Sequence, residues 1–380
     1  MEGRFTMPPE KPRPYLLFNS FLLIFAMHSV QVGIGILGFQ RYVYQQAGHD
    51  SWISVILAGC LLSFILWIMV KTLRTFDHYD LFLIHYTVFG RWIGKLLNTL
   101  YVIYLLIAPF IIIMNYIDMV QTWIFLDMPN WVLSLLILLL VAYGVTGGIR
   151  TVVGFAYLAV ILTLWLILLV FFASPYLSWN HLLPIGEHSL KEILLGTKSM
   201  SFSLLGFELL YFMYPFVKEK NKVTRYVQWA SLSITCIYLI VMVVTLAYFS
   251  GPQLMRSSWA TFTMYKIVKL PFLERFEYIA VCLWLLIVLP NIMLYLWAAI
   301  RGIKCVFFLK ENHSLSICLV LIFGLCLIFR TRIQIESISN IMATIGIIVA
   351  FVYPLFLFTC VFIREKWLKK GGNQHEANNS

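Results

Sequence analysis

A carboxylate and a glycine stand close together within an apolar part of the chain. Glu208 follows Gly206 by two positions, between stretches rich in leucine and phenylalanine. An ionisable group in such surroundings is costly unless it is paired or solvated, so Glu208 is a candidate functional residue. It would either bind an amine, a cation or a proton in a cavity, or cap the end of a broken helix. The residue types allow both interpretations.

The first long apolar stretch is interrupted by three glycines, Gly33, Gly35 and Gly38. Each glycine weakens a helix by about 1 kcal/mol relative to alanine. In the hydrocarbon core of a membrane, unwound backbone is tolerated only where it lines a cavity or is buried in protein. We therefore predict a broken helix around a binding site, although glycines that only allow close helix packing would leave the same pattern.

The two glycine stretches are spaced by close to half the chain, since 171 residues separate Gly35 from Gly206. Paired interruptions in corresponding halves indicate a transporter-type binding site. Exposed backbone there would bind the polar end of a ligand, and the dipoles of the half-helices would favour a carboxylate or another anionic group. Tyr101 and Tyr104 share a face of the third apolar segment and would either line the cavity at mid-depth or serve in helix packing. The predicted ligand-binding residues are Val32, Gly33, Ile34, Gly35, Tyr101, Tyr104, Ser203, Leu205, Gly206 and Glu208.

A few further polar residues lie in apolar segments. Asp118 is near the end of the third segment, where a carboxylate is commonly just solvated. His28 and Gln31 precede the first glycines, and Asn291 and Asn340 occur in later segments. Such side chains either face a ligand or form hydrogen bonds between helices.

Composition defines the class of protein that must position these residues. Of the 380 residues, 61% are hydrophobic and 12% are charged, against about 25% charged in an ordinary soluble domain. The chain is therefore predicted to be an all-α integral membrane protein in a lipid bilayer. Its net charge of +11 is typical of basic cytoplasmic loops, so nucleic-acid binding is not expected.

Spacing argues against several kinds of site. The seven cysteines show no CxxC spacing and are expected to be thiols, neither disulfides nor metal ligands. His78, Asp80 and His85, assigned to a basic cytoplasmic loop, have no zinc spacing and no nucleophile partner, and no phosphate-binding glycine loop occurs. We expect no enzymatic activity, no metal and no cofactor.

Runs of about 20 apolar residues predict ten transmembrane helices. They lie at approximately 15–37, 51–71, 92–122, 131–145, 152–172, 199–217, 228–250, 275–301, 313–329 and 336–363. With the N-terminus inside, 19 of the 28 lysines and arginines fall on the cytoplasmic side, so both termini are predicted to be cytoplasmic. The predicted organisation is a cytoplasmic segment 1–14, a membrane domain 15–365 and a cytoplasmic tail 366–380. No cleavable signal is recognised, so the first helix is expected to be retained.

Two predicted external connections are long. Residues 173–198 would form a lid or a folded surface element. Within residues 251–274, Trp259, Phe262 and Tyr265 recur at every third position, which predicts a short amphipathic helix at the outer surface. That helix would gate an outer vestibule or lie on the membrane interface.

Three stretches together carry a resemblance to a known family. They are Gly33-Ile-Gly35-Ile-Leu37, Leu205-Gly-Phe-Glu208-Leu-Leu-Tyr-Phe-Met-Tyr-Pro215 and Pro271-Phe-Leu-Glu274-Arg-Phe-Glu277. From about residue 15 to residue 365 the chain resembles the B subunits of spore nutrient-germinant receptors, in the amino acid–polyamine–organocation transporter superfamily. The resemblance implies a LeuT-like 5+5 inverted repeat of ten helices, with repeats at 15–172 and 199–363 and with helices one and six broken. Phe39-Gln40 stands where the family pattern has a proline, which is a departure from it.

The resemblance also implies a function. Such a subunit binds a small nutrient, an amino acid, a sugar or a nucleoside, between helices one, three, six and eight. It acts with an A subunit and a C-subunit lipoprotein in the spore inner membrane, and it starts germination. Because one fold hosts several tasks, the alternative is an H⁺- or Na⁺-coupled secondary transporter of amino acids in the bacterial cell membrane.

Overall fold

The structure, a computed structural model, describes residues 12–268 and 275–377, and its regular elements are helices. Within these ranges the only β-type pairing is an isolated bridge between Phe18 and Val217. The α-helices are α1 (Leu22–Gln31), α2 (Phe39–Ala47), α3 (Ser51–Phe76), α4 (Leu81–Trp123), α5 (Asn130–Thr146), α6 (Gly148–Thr163), α7 (Leu190–Ser203), α8 (Leu210–Met213), α9 (Val223–Tyr248), α10 (Gly251–Arg256), α11 (Ala260–Tyr265), α12 (Phe276–Phe307), α13 (Glu311–Ile328), α14 (Arg332–Ile347) and α15 (Tyr353–Ala377).

Seven helical stretches in the described ranges are long and apolar enough to cross a membrane. An eighth is added if α7 and Phe207–Phe216, which meet at an angle of 54°, count as one bent span. The apolar helices α1 and α5 are shorter than these spans. The chain is thus a multi-pass membrane protein, and the count of ten spans stays a prediction.

The two longest helices, α4 and α12, pack against each other through the protein. Helix α4 is kinked at Gly90, whose φ of 77° lies in the left-handed region that glycine adopts without a Cβ penalty. Asp80 caps the start of α4 by accepting a hydrogen bond from the Leu83 N–H at 3.1 Å. The same carboxylate pairs with Arg301 of α12 at 2.7 Å. This ion pair ties the two helices together at one end.

The chain before α1 is held against the end of the bent span. The Phe18 N–H donates to the Phe216 carbonyl and the Lys218 N–H donates to the Phe18 carbonyl, both at 3.0 Å. The Ser20 N–H donates to the Glu219 carboxylate at 2.9 Å. That backbone hydrogen bond holds the pKa of Glu219 below its usual range.

The predicted connection over residues 173–198 is shorter in the structure, because a 3-10 helix runs to Tyr176 and α7 begins at Leu190. The chain between them is a folded surface element. It contains a 3-10 turn at Trp179–Leu182, and its later part is fixed to the start of α3. There the buried Asp50 carboxylate accepts hydrogen bonds from the N–H groups of Gly186 at 2.7 Å and His188 at 3.1 Å. The backbone of the connection is therefore anchored to the helical body.

The predicted short helix is present as α11, but it packs inside the protein, so the alternative that it lies on the membrane interface was wrong. That it gates a vestibule stays a prediction. Phe262 and Tyr265 are fully buried. The ring of Phe262 lies 5.5 Å from that of Trp123 and 5.8 Å from that of Trp284. The recurring aromatic residues meet neighbouring helices instead of the membrane interface.

The third resemblance motif is described only in part. Its residues Pro271 to Glu274 lie outside the described residues. In the remainder, Arg275 pairs with Glu277 at 3.1 Å and lies over the ring of Tyr278 at 4.0 Å. These contacts stabilise the start of α12.

Candidate functional site

The chain leaves the α-helical path at both predicted positions, and the two breaks touch. Helix α1 ends at Gln31 and is followed by a 3-10 segment, Ile34–Leu37. Helix α7 ends at Ser203, and a new 3-10 segment begins after Gly206. A Cβ on Gly35 would lie 3.5 Å from Ser203, in ordinary van der Waals contact. The fold therefore brings together two stretches that are far apart in sequence.

Polar side chains bond to backbone carbonyls around the breaks. Gln31 Nε2 donates to the Leu204 carbonyl at 2.9 Å, which links the two breaks directly. The Tyr238 hydroxyl donates to the Gln31 carbonyl at 2.8 Å. Asn291 Nδ2 of α12 lies 3.3 Å from the Val30 carbonyl. Because a buried carbonyl without a partner is costly, these contacts stabilise the unwound backbone.

Glu208 is fully buried and is held by three donors. The hydroxyls of Tyr104 and Tyr295 donate to Oε1 at 2.7 and 2.8 Å, and the Gly206 N–H donates to Oε2 at 2.8 Å. Within the described ranges no basic side chain forms an ion pair with it. The donors compensate for the water that the carboxylate has lost, and the geometry includes the capping contact that the sequence offered as one alternative.

An open cavity of about 660 Å³ lies beside the breaks, within the range of about 300–1,000 Å³ that is usual for small-molecule sites. Its buried polar part, which we call the floor, comprises Gln31, Gly33, Tyr104, Asn291 and Tyr295. The predicted site residues that line the cavity are Gly33, Ile34, Gly35, Tyr104, Ser203 and Leu205. Whether they bind a ligand stays a prediction.

The other predicted site residues do not line this cavity. Gly206 is packed against Val30, and Glu208 lies behind the floor tyrosines that donate to it. Val32 lines a separate cavity of about 20 Å³ together with His28, whose ring nitrogens are buried without a hydrogen-bond partner among the described residues. That volume is enough for about one water molecule.

Tyr101 lies between Tyr104, whose ring is 5.8 Å away, and a second polar group around His85. Its buried hydroxyl has no hydrogen-bond partner in the described part of the chain, and its ring lies 6.2 Å from that of His85. His85 is fully buried, not part of an exposed loop, and it contacts Asn98 through Nδ1 and Tyr353 through Nε2, each at 2.5 Å. The kink at Gly90 folds His85 back toward Asn98 of the same helix.

Four charged residues, which we call the charged rim, line the more exposed part of the cavity. They are Arg41 of α2, Asp118 of α4, and Arg332 and Glu336 of α14. Arg332 Nε lies 3.8 Å from Asp118 Oδ1. Of these four, only Asp118 was among the sequence candidates. One signal was available for Arg41, which follows the first glycine by about two helical turns and so continues the broken helix.

Similarity to known proteins agrees with the resemblance read from the sequence. A family model described as spore germination protein matches residues 18–338. Spore germination protein GerQB of Bacillus cereus is 36% identical over 340 residues, which is 90% of this chain and 92% of that protein. Spore germination protein A2 of Bacillus subtilis (strain 168) is 24% identical over 355 residues, 92% of this chain and 97% of the relative. Spore germination protein GerLB of B. cereus is 22% identical over 374 residues, 92% and 95% of the two chains.

Proposed function

The chain belongs to the spore germination protein family, and on that premise we propose that it is the nutrient-sensing membrane subunit of a spore germinant receptor. The observation that carries the proposal is the cavity of about 660 Å³ beside two joined helix breaks. Family membership alone supports a role in germination. The cavity supports the narrower statement that this subunit binds the small molecule.

We propose that the nutrient enters the cavity and that its polar part contacts the backbone of Gly33–Gly35, Ser203 and Leu205, the parts of the two predicted stretches that line it. Floor side chains such as Tyr104 and Asn291 would complete the contacts. Binding then shifts the equilibrium between two conformations, by no more than the ligand's difference in affinity for them. The joined breaks are a suitable element for such a shift, because a small movement of one broken helix displaces the other.

The wider arrangement is part of the same proposal. Ten spans result if the first broken helix and α5 also cross the membrane, and the halves at 15–172 and 199–363 would be inverted repeats. Both termini would be cytoplasmic, in the spore inner membrane. The subunit would act with receptor A and C subunits, which carry the signal to release of ions and dipicolinate.

The test is dipicolinate release from dormant spores with and without this gene, over a panel of amino acids, nucleosides and sugars. We expect deletion to abolish the response to one class of nutrient and the intact gene to restore it. Gly206→Val should not restore it, although the protein remains in the membrane. Gly154→Val is the matched control, because a Cβ at Gly154 meets nothing within 4 Å.

Two outcomes would contradict the proposal. A normal nutrient response with Gly206→Val would show that the breaks are not the site. An unchanged response in the deletion strain, with loss of radiolabelled solute uptake by growing cells, would instead support an H⁺- or Na⁺-coupled amino acid transporter.

A further inference from the structure

The floor of the cavity offers polar groups but no accessible charge. Its side chains are two tyrosines, an asparagine and a glutamine, and the nearest carboxylate, Glu208, is fully buried. Both tyrosine hydroxyls already donate to that carboxylate. The Gly206 N–H at the second break does not line the cavity and already donates to Glu208. Ionised groups of a ligand therefore have to find their partners elsewhere in the cavity.

The charged rim supplies such partners, and its charges fall into two parts. On α2, Arg41 forms no hydrogen bond or ion pair with another described residue. On α4 and α14, two carboxylates, Asp118 and Glu336, share one cation, Arg332. The α2 part thus has one unbalanced positive charge, and the α4 and α14 part has one unbalanced negative charge.

The contact between Arg332 and Asp118 leaves the acidic part open to a second cation. The two atoms are 3.8 Å apart, which is long for an ion pair, and the Arg332 side chain is 56% exposed. Glu336 has no ion-pair partner within the described ranges. Complementary charges at a partly buried rim strengthen binding and exclude partners of the wrong charge.

We propose that the charged rim is a subsite for a zwitterion, with the ligand's anionic group at Arg41 and its cationic group at Asp118 and Glu336. This deepens the proposed function by naming the ligand class: an amino acid or a similar zwitterion, in preference to a neutral sugar or nucleoside. The rest of the ligand, with any uncharged polar group that it carries, then faces the floor and the breaks. Arg41 and Glu336 determine specificity in this arrangement.

The test is direct binding to the purified full-length protein in lipid nanodiscs. The probes are radiolabelled L-amino acids, inosine and glucose. We expect at least one amino acid to bind, and Arg41→Gln and Glu336→Gln each to weaken that binding by about tenfold or more, as is usual for loss of a charge-assisted hydrogen bond. Arg41→Lys should weaken binding less than Arg41→Gln does, because lysine keeps the positive charge. Lys191→Gln, which removes an exposed charge on α7 outside the cavity lining, should stay within about twofold.

A ligand pair separates a direct contact with Arg41 from a general effect on the protein. The amide of the bound amino acid lacks the carboxylate charge, so it should bind the wild-type protein about tenfold more weakly. Arg41→Gln should change binding of this amide much less than binding of the amino acid, because the charge-assisted part of the contact is already missing. If Arg41→Gln does not fold, Arg41→Lys with the same ligand pair, together with Glu336→Gln, decides the question.

The proposal is overturned if only inosine or glucose binds, if no amino acid binds, or if Arg41→Gln and Glu336→Gln both retain wild-type affinity. Failure of the proposed function has a different signature. If the purified protein binds an amino acid through Arg41 while deletion of the gene leaves spore germination unchanged, that result supports the subsite and contradicts the sensing role. A gene-dependent germination response to a neutral nutrient only would support the sensing role and contradict the zwitterion subsite.

Discussion

The carbonyl oxygen of Val30 lies 2.8 Å from the place that a Cβ on Gly206 would occupy. The last turn of α1 thus packs directly on the second break, and no side chain fits between them. Gly206 also has a φ of 115°, a backbone conformation that other residues rarely adopt. Position 206 is restricted twice, by its own conformation and by its neighbour.

Gly206→Ala should therefore destabilise the protein by about 2 kcal/mol or more, because strain and a backbone clash add. Gly35→Ala should cost less, since its Cβ would meet Ser203 at an ordinary 3.5 Å. The measurement is the thermal unfolding midpoint of the purified protein in detergent. Gly154→Ala is the control for inserting a methyl group alone. Equal midpoints for the Gly206 and Gly154 variants would show that the breaks do not touch as described.

Glu208→Gln should destabilise the protein by about 1–3 kcal/mol, because an amide offers one acceptor atom to three donors and leaves at least one of them unpaired. Tyr104→Phe removes one of these donors. The double variant should lose less than the sum of the two single losses, by about 0.5–3 kcal/mol. Additive losses would contradict the shared hydrogen bond. The germination response of Glu208→Gln spores across pH is a separate readout, and an unchanged response would leave Glu208 as a structural cap.

Gly38→Ala should loosen the segment that leads into α11. A Cβ on Gly38 would lie 2.5 Å from the Ser258 carbonyl oxygen, and a backbone atom cannot yield as a flexible side chain does. The expected loss is about 1–3 kcal/mol, with faster hydrogen exchange in Ala260–Tyr265, measured by mass spectrometry. Gly324→Ala is the control, because a Cβ there meets nothing within 4 Å. Unchanged exchange in α11 would contradict the close approach.

Glu219→Gln should remove a pH-dependent contribution to stability. The folded pKa of Glu219 is below its usual range because the Ser20 N–H bonds to the carboxylate. The contribution is thus fully present above the usual glutamate pKa and is lost as pH falls through the lower, folded value. A partly exposed hydrogen bond of this kind is worth about 1 kcal/mol. Thermal midpoints of the two proteins should differ near neutral pH and converge in acid, and a constant difference would contradict the linkage.

Much of the architecture follows from the sequence because hydrophobicity and backbone freedom are local properties. Apolar runs of sufficient length have to be helices in a membrane, since backbone groups there need internal partners. Glycines inside such runs mark where the helix weakens, so the breaks at Gly33 and Gly206 were predictable. The family motifs could be recognised from the sequence because they surround these glycines.

Only the tertiary structure decided which polar residues share a space. Glu208 and Tyr104 lie 104 positions apart, and their hydrogen bond depends on how α4 packs beside the second break. Tyr101, three residues earlier on the same helix, does not line the cavity, and its ring lies between those of Tyr104 and His85. Arg41 and Glu336 come together at one cavity only because α2 and α14 border it. Periodicity states which face of a helix a residue occupies, but the neighbour of that face is set by packing between distant parts of the chain.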